Sequence, residues 1–526
     1  MRSIILTGFL AFVLGCSSSG GGRASVLQHH NDLARDGLYI DPGLTQVAVS
    51  GTADASRGGL QLDASFANAT VVGQVYAQPL YLAGRGSTPD LVIVATEMNN
   101  VYAFDAGTGT QVWMKSTETL GMPVTTSVDF HCGSLVNVGV TGTPVIDGAT
   151  RTIYLDAITA DTSSGARVVE HRVHALDADT GNERAGWPVK LNAVASSGST
   201  TFDSSLQNQR GALTLVGGKV FIGFSGHVGD CDGYHGWVVG VTTTGSPAVT
   251  AWATRAIGGG IWGASGFASD GTSIYFATGN SKSSASAGGT TSSGDNGGSW
   301  GDSETVYKFP TSLQPPPMTT TTDYFLPANW IGLDDADADM GGTSPILVTV
   351  PGAKPSSLVV ALGKDGYVYL LDRQNLGGMD ATPIAKLSVS STPLINAAVA
   401  YTTPKGTYLV FAGTAYCAAT QPGGLTALKI AAGNPPTLSV AWCGGPATSY
   451  SPTVSQTDAR GSNTIVWSVG SDQKLHGVDG DTGMSVFDGG PTAMSAVAAI
   501  QTPVIANGRV FVASNSEVYA FKVGSN

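Results

Sequence analysis

One phrase recurs along this chain and constrains its fold more than anything else. It reads Val101-Tyr102-Ala103-Phe104-Asp105-Ala106-Gly107-Thr108-Gly109, followed by Trp113. It returns as Val173-His174-Ala175-Leu176-Asp177-Ala178-Asp179-Thr180-Gly181, followed by Trp187. A third copy is Leu475-His476-Gly477-Val478-Asp479-Gly480-Asp481-Thr482-Gly483, and a looser one is Val368-Tyr369-Leu370-Leu371-Asp372-Arg373. Each copy alternates like a strand, turns on a polar segment with Gly, and starts another strand. A long-period repeat of this kind is one supersecondary unit stacked many times.

A second, more apolar strand precedes each phrase. Examples are Leu91-Val92-Ile93-Val94-Ala95, Lys219-Val220-Phe221-Ile222-Gly223, Ser273-Ile274-Tyr275-Phe276-Ala277 and Arg509-Val510-Phe511-Val512. β-branched and aromatic runs bounded by Gly, Asp and Ser read as strands. A third element often opens with a small or polar residue and Pro, as in Gln78-Pro79-Leu80, Thr143-Pro144-Val145 and Thr502-Pro503-Val504. The count is eight units of three or four strands. The last unit, ending in Glu517 to Val523, lacks a fourth strand. An open sheet edge is a liability, and Leu60 to Phe66 is an unassigned strand-like run that can fill it. The expected fold is all-β: an eight-bladed β-propeller of four-stranded antiparallel blades, the last closed by an N-terminal strand.

Composition agrees with a large globular chain. Of 526 residues, 42% are hydrophobic and 12% charged, with 71 Gly, and no long amphipathic helical pattern occurs. Net charge is −12 and no basic tract is present, which argues against nucleic acid as a partner. Residues 1–16 read as an export signal: Arg2, a short apolar core from Ile4 to Leu14, then Val13-Leu14-Gly15-Cys16, which resembles a bacterial lipobox. Cys16 is then the lipidated residue, 17–25 a flexible tether, and 26–526 one domain whose N-terminal part wraps the ring. The expected location is the cell envelope, anchored by lipid, with Ser17 resembling an outer-membrane sorting signal. The expected state is a monomer. Two stretches break the repeat and read as inserted loops, near 281–300 and 314–323.

Four further Cys remain, an even number that suggests disulfides in an exported chain. Cys417 and Cys443 lie in one unit and are expected to pair across it; Cys132 and Cys231 then tie neighbouring blades. His29-His30-Asn31-Asp32 offers metal ligands, or else side chains that hydrogen-bond where the N-terminal segment packs on the ring. His227 and His235 flank Cys231, but the spacing fits no standard zinc site.

In a propeller the loops entering the innermost strands form a funnel at one face. Gln78, Thr143, Arg210, Trp262, Asp339, Asn396, Ser451 and Thr502 occupy those positions. The repeats resemble those of the pyrroloquinoline-quinone (PQQ) family of propellers, over most of the chain after Val71. That family contains quinoprotein alcohol dehydrogenases and non-catalytic lipoproteins. Gly258-Gly259-Gly260-Ile261-Trp262, followed by Tyr275-Phe276-Ala277-Thr278-Gly279-Asn280, resembles the segment bearing the Trp under the quinone and an Asn that binds calcium. Asp335-Ala336-Asp337-Ala338-Asp339 lies where the family carries its catalytic Asp. Lys364-Asp365-Gly366-Tyr367 resembles the segment whose basic residue meets the quinone.

The resemblance implies PQQ and calcium as cofactors. Trp262, Lys364, Arg210 and Gln78 would contact PQQ. Asn280, Asp339 and Asp232 would hold calcium, with Asp232 or Asp230 replacing a Glu that has no clear equivalent. Asp337 or Asp339 would be the base. The chain departs from the dehydrogenases in having no two adjacent Cys. Two functions follow: an envelope scaffold binding a protein partner or small ligand at its funnel, or a PQQ- and calcium-dependent dehydrogenase of alcohols or sugars.

Overall fold

A computed structural model describes residues 23–51, 58–67, 69–130, 132–161, 167–192, 194–228, 233–281, 300–317, 319–413, 423–491 and 493–524. Eight radial sheets surround one axis. The first blade comprises Leu80–Leu82, Leu91–Ala95, Val101–Asp105 and Gln111–Lys115, all antiparallel and paired in chain order. The next five blades repeat this plan with inner strands Val145–Asp147, Thr214–Val216, Ala268–Ser269, Ile346–Thr349 and Val399–Thr403. The seventh begins at Thr453–Gln456 and the eighth at Val504–Ala506. The recurring phrase is the third strand and its turn. Asp177 Oδ1 accepts the backbone N–H groups of Asp179 and Thr180, and Asp105 Oδ1 does the same for Gly107 and Thr108. The Trp that follows the turn clips blades together: Trp113 Nε1 donates to Ala178 O, and Trp442 Nε1 donates to Gly480 O.

The ring closes as the sequence requires. Leu60–Leu62 pairs antiparallel with Val518–Val523, with Leu60 opposite Val523 and Leu62 opposite Phe521, and completes the eighth sheet. Asp63 then accepts from Arg509 Nε at 2.8 Å and lies 2.6 Å from Lys522 Nζ, fastening the strand to its blade.

Residues 23–41 follow the ring on its inner side, running along the inner edges of the blades as a strap. Ala24 bonds Asn507 of the eighth blade, Val26 pairs with Tyr81 of the first, and Leu27 O accepts from Ile146 N of the second. Leu33, Ala34, Asp36 and Gly37 accept from Ser269, Leu347, Ala400 and Val454, one in each of the fourth to seventh blades. Arg35 reaches the third through Leu213 O. Leu38–Ile40 then adds in parallel to Thr453–Gln456. The exposed inner-strand edges find their partners here, which is why this irregular segment is buried.

Arg35 pins the strap. Its side chain is fully buried and donates to Phe267 O, Gln28 Oε1, His29 O, Leu213 O and Thr214 Oγ1. The rings of His29 and His30 stack with centroids 4.4 Å apart. His30 Nδ1 lies 3.2 Å from Arg35 O, and His29 Nε2 lies 3.4 Å from Thr502 Oγ1. Burial pushes the His30 imidazole down to about 4 and holds His29 well below the ordinary value, so both are neutral. Of the two readings of this motif, packing and hydrogen bonding is the one the geometry matches. No cluster of three His, Cys, Asp or Glu side chains suited to a metal occurs among the described residues.

Candidate functional site

At the funnel face, the connectors into the fourth and fifth blades and the turn between the second and third strands of the fifth blade meet around Trp262. Glycine makes the approach possible. Gly258 and Gly259 have φ of 93° and 66°, a region that favours Gly. A Cβ on Gly279 would stand 3.0 Å from Asp339 Oδ2 and 3.1 Å from Trp262 Nε1, so a side chain there would wedge these two groups apart.

Asp339 is the hub. It is 2% exposed. Its Oδ2 accepts from Trp262 Nε1 at 3.0 Å and lies 3.0 Å from Lys364 Nζ; its Oδ1 accepts from Asn280 N at 3.2 Å. Lys364 Nζ also donates to Asp337 at 2.6 Å and sits 5.2 Å from the Trp262 ring centroid. Asp337 caps the helix Trp330–Ala336 in a left-handed conformation, which turns the chain toward Asp339. Burial raises the Asp339 pKa above the ordinary carboxylate value, against the pull of Lys364; Asp337 adds to the rise. Burial works to lower Lys364, but Asp339 and Asp337 outweigh it and the ammonium holds its proton more tightly than a free lysine. Asp339 is thus a weaker acid, through burial, and Lys364 a stronger base, through its two carboxylate neighbours, than either would be in water.

Those residues line one cavity of about 390 Å³, together with Arg210, Asn208 and His227. Trp262, Asn280, Asp337, Asp339, Lys364 and Arg210 thus come together from five parts of the chain. Gln78 does not line this cavity. It is buried at 2% exposure, accepts from His30 N, and donates to Gln28 O, because the strap occupies its side of the bore. Thr143 is likewise engaged, accepting from Gln78 N. Asp230, Cys231 and Asp232 lie outside the described residues, as do Cys16 and Cys417. Cys132 and Cys443 are each disulfide-bonded.

Two participants escaped sequence reasoning. Glu304 is fully buried and Oε2 accepts from Met340 N at 2.6 Å, which fixes the turn Met340–Gly342 beside Asp339. Burial and the nearby Asp339 and Asp334 raise its pKa well above the ordinary value, so it is a neutral acid. It follows a Ser/Gly run with no pattern to announce it. His227 was noticed only for zinc. It stacks on Phe130 with ring centroids 3.7 Å apart, and burial lowers its pKa to about 4.

No protein-family model matches the chain, and no curated protein matches it in sequence. Solved structures do match in shape. The quinohemoprotein alcohol dehydrogenase from Comamonas testosteroni superposes with a TM-score of 0.63 at 15% identity, over 95% of this chain and 80% of that one. The fold is the quinoprotein dehydrogenase propeller. A europium-containing methanol dehydrogenase gives a TM-score of 0.59 at 16% identity, over 93% of this chain and 89% of that one. The quinohemoprotein alcohol dehydrogenase ADHIIG from Pseudomonas putida HK5 gives 0.61 at 14%, over 95% and 80%. At such identities the quinoprotein likeness establishes architecture, and chemistry has to be argued from the site.

Proposed function

We propose that this chain is a lipid-anchored quinoprotein of the cell envelope whose funnel binds PQQ with calcium and oxidises an alcohol or sugar. One observation carries the reading: Trp262, Asn280, Asp339 and Lys364, the four residues singled out by resemblance, line one cavity with Asp339 at its centre.

The side chains suit a flat, polyanionic quinone. Trp262 offers an aromatic surface, and Lys364 sits near that ring as a cation. PQQ supplies, when bound, an acceptor for hydride from an alcohol carbon, and an external electron acceptor takes the electrons onward. The chain's own part is positioning and proton transfer. Asp339 Oδ2 already receives Trp262 and Lys364, whereas Oδ1 receives only Asn280 N. A carboxylate oxygen has two lone pairs, so Oδ1 keeps one free to take the hydroxyl proton of an alcohol. Lys364 holds the carboxylate in place from the opposite oxygen. With Asp339 as the base, Asn280 would supply a hard oxygen donor for calcium, and Asp232 is the further carboxylate the sequence offers; Asp339 would join them only if Asp337 took the proton.

A binding role without catalysis is the second reading, and one observation favours it. The Lys364 ammonium stands 3.0 Å from Asp339, so a cation already neutralises the carboxylate that would face the metal. Export and anchoring rest on the Cys16 motif; among the described residues no helix is long and apolar enough to cross a membrane. The disulfide pairs Cys132–Cys231 and Cys417–Cys443 belong to the same proposal.

Calorimetric titration of folded, signal-less protein with PQQ tests the two readings. The expected result is tight, calcium-dependent binding, weakened by Trp262→Ala and by Asn280→Ala, with dye reduction on adding alcohol. Binding that ignores calcium and reduces no dye selects the second reading. No heat and no thermal shift in a folded sample removes PQQ altogether.

A further inference from the structure

Arg210 differs from the other buried or half-buried arginines. Arg35 makes five hydrogen bonds, Arg151 grips Asp179 with two nitrogens, and Arg255 grips Asp302 likewise. Arg210 has no hydrogen-bond or ion-pair partner among the described residues. Its near neighbour is the Trp262 ring, 5.2 Å from the guanidinium carbon. Desolvation lowers its pKa to about 10, which leaves it charged. Arg210 is half-buried and faces open cavities, and a guanidinium partly withdrawn from water with no counter-charge among the described residues is a ready partner for an anion.

Its place says what that is. Arg210, Asn208, His227 and Val228 form the wall shared by the 390 Å³ cavity and a second one of about 210 Å³. The second cavity is bounded on its far side by Leu135, Val138 and Ile500, and its roof is the connector between the first and second blades. At the shared wall, Asn208 Oδ1 and His227 Nε2 are also buried without a partner. Lys364 is already engaged by Asp337 and Asp339. Among the described residues, the positive charge of the site that no carboxylate answers therefore stands between the Asp339 end and a mostly apolar recess.

We infer that Arg210 recognises a carboxylate, and that the substrate of this funnel is a hydroxy acid whose apolar body fills the smaller cavity. A planar guanidinium matches a carboxylate with two parallel bonds. Oxidation of that acid rests on the quinoprotein reading: Asp339 would take the hydroxyl proton, and bound PQQ would supply the hydride acceptor that leaves an oxo acid. Carboxylate binding does not rest on it. The same chemistry could come from the cofactor's own carboxylates, and the test separates the two sources.

Folded wild-type protein, Arg210→Gln and Arg210→Lys are titrated with hexanoate, hexanol and PQQ, with thermal melts to confirm folding. Trp fluorescence and heat are both read. Expected is hexanoate binding that weakens about tenfold or more in Arg210→Gln and less in Arg210→Lys, hexanol binding that ignores the change, and PQQ affinity within about twofold of wild type. The loaded enzyme should then prefer hydroxyhexanoate over hexanediol in kcat/KM, and lose that preference in Arg210→Gln. Hexanoate that fails to bind, or binds equally to Arg210→Gln, overturns the inference. So does PQQ affinity that falls about tenfold while hexanoate binding is unchanged, because Arg210 then reads the cofactor. If PQQ does not bind but hexanoate binds through Arg210, the quinoprotein reading fails and the carboxylate site stands.

Discussion

The strap offers the sharpest test of the architecture, through Arg35→Ala. The guanidinium makes five contacts of 2.6 to 3.3 Å, three of them to the carbonyls of His29, Leu213 and Phe267. Phe267 O keeps Thr214 Oγ1 as a donor at 2.9 Å after truncation. His29 O and Leu213 O lose the guanidinium donor in a region closed to water, and each buried orphan costs about 1–3 kcal/mol. Loss of the packed stem adds about 1 kcal/mol, and relief from burying a charge returns part of the sum. The net expectation is about 4 kcal/mol. The entropy of unfolding for a chain of this size is on the order of 1 kcal/mol per kelvin, so the Tm should drop by about 4 °C. Calorimetry reads the shift, and hydrogen exchange should show the amides of Val26, Val454 and Asp41 exchanging faster, since all three bond across the strap. Arg35→Lys keeps the charge but reaches fewer acceptors, and should fall between. A melt within about 1 °C of wild type, with unchanged exchange, would refute the claim that Arg35 pins the strap.

Stability should also respond to pH from both sides. His30, lowered to about 4, and His29 take up protons in the unfolded chain below about 6.5 but resist them when folded, so stability is lost as pH falls from about 6.5 toward 4. Glu97, raised to about 7 by burial, and Asp36, raised to about 8 by burial and Asp32, hold protons in the folded state that the unfolded chain has released; their contribution is lost as pH rises from the ordinary carboxylate range through about 7 and 8. Between pH 5 and 6.5 the two histidines and two acids oppose each other, so urea midpoints should change little there and fall by pH 9; a midpoint that holds to pH 9 contradicts these assignments. Leu60→Asp puts a charge at a position 5% exposed in the strand that closes the eighth blade. It should cost about 3 kcal/mol or more and expose a sheet edge that promotes oligomers in size-exclusion chromatography; a monomer of wild-type stability argues against closure there. Peptide mapping under non-reducing conditions should recover Cys132–Cys231 and Cys417–Cys443, and any other pairing rejects the proposed connectivity.

What the sequence revealed follows how local each signal is. A blade turn is written in six consecutive residues, so Asp105 to Thr110 and Asp177 to Asn182 announce themselves and their Asp side chains do the same job in the structure. Ring closure was legible because a missing strand is a countable deficit. Trp262, Asn280, Asp339 and Lys364 were singled out by resemblance to a known family's segments, and the structure places all four around one cavity. The strap was not. Its bonds to the blades run through backbone carbonyls, and carbonyls carry no sequence signal. Nothing in Val26 to Asp41 alternates, and Arg35 looks like any surface arginine. Gln78 was misplaced for the same reason: its position beside an inner strand is right, but an unseen segment claims its side chain.

The first 66 residues close the propeller twice, and the two closures serve the site differently. Leu60–Leu62 closes it around the circumference, so the blades keep one spacing. Residues 23–41 close it from within, bonding to the inner strand or its approach in each blade from the eighth round to the seventh. The cavity is built across blades: Trp262 precedes the fourth, Asp339 precedes the fifth, and Lys364 turns between strands of the fifth. No single blade can hold Trp262 Nε1, Asp339 Oδ2 and Lys364 Nζ at 3.0 Å; only a ring of fixed circumference can. His29 and His30 touch Thr502 and Gln78, which sit at the funnel ends of the eighth and first inner strands. The strap is therefore tied to the same residues that lead into the first and eighth inner strands, so its burial at His29, His30 and Arg35 and the position of those strands depend on each other.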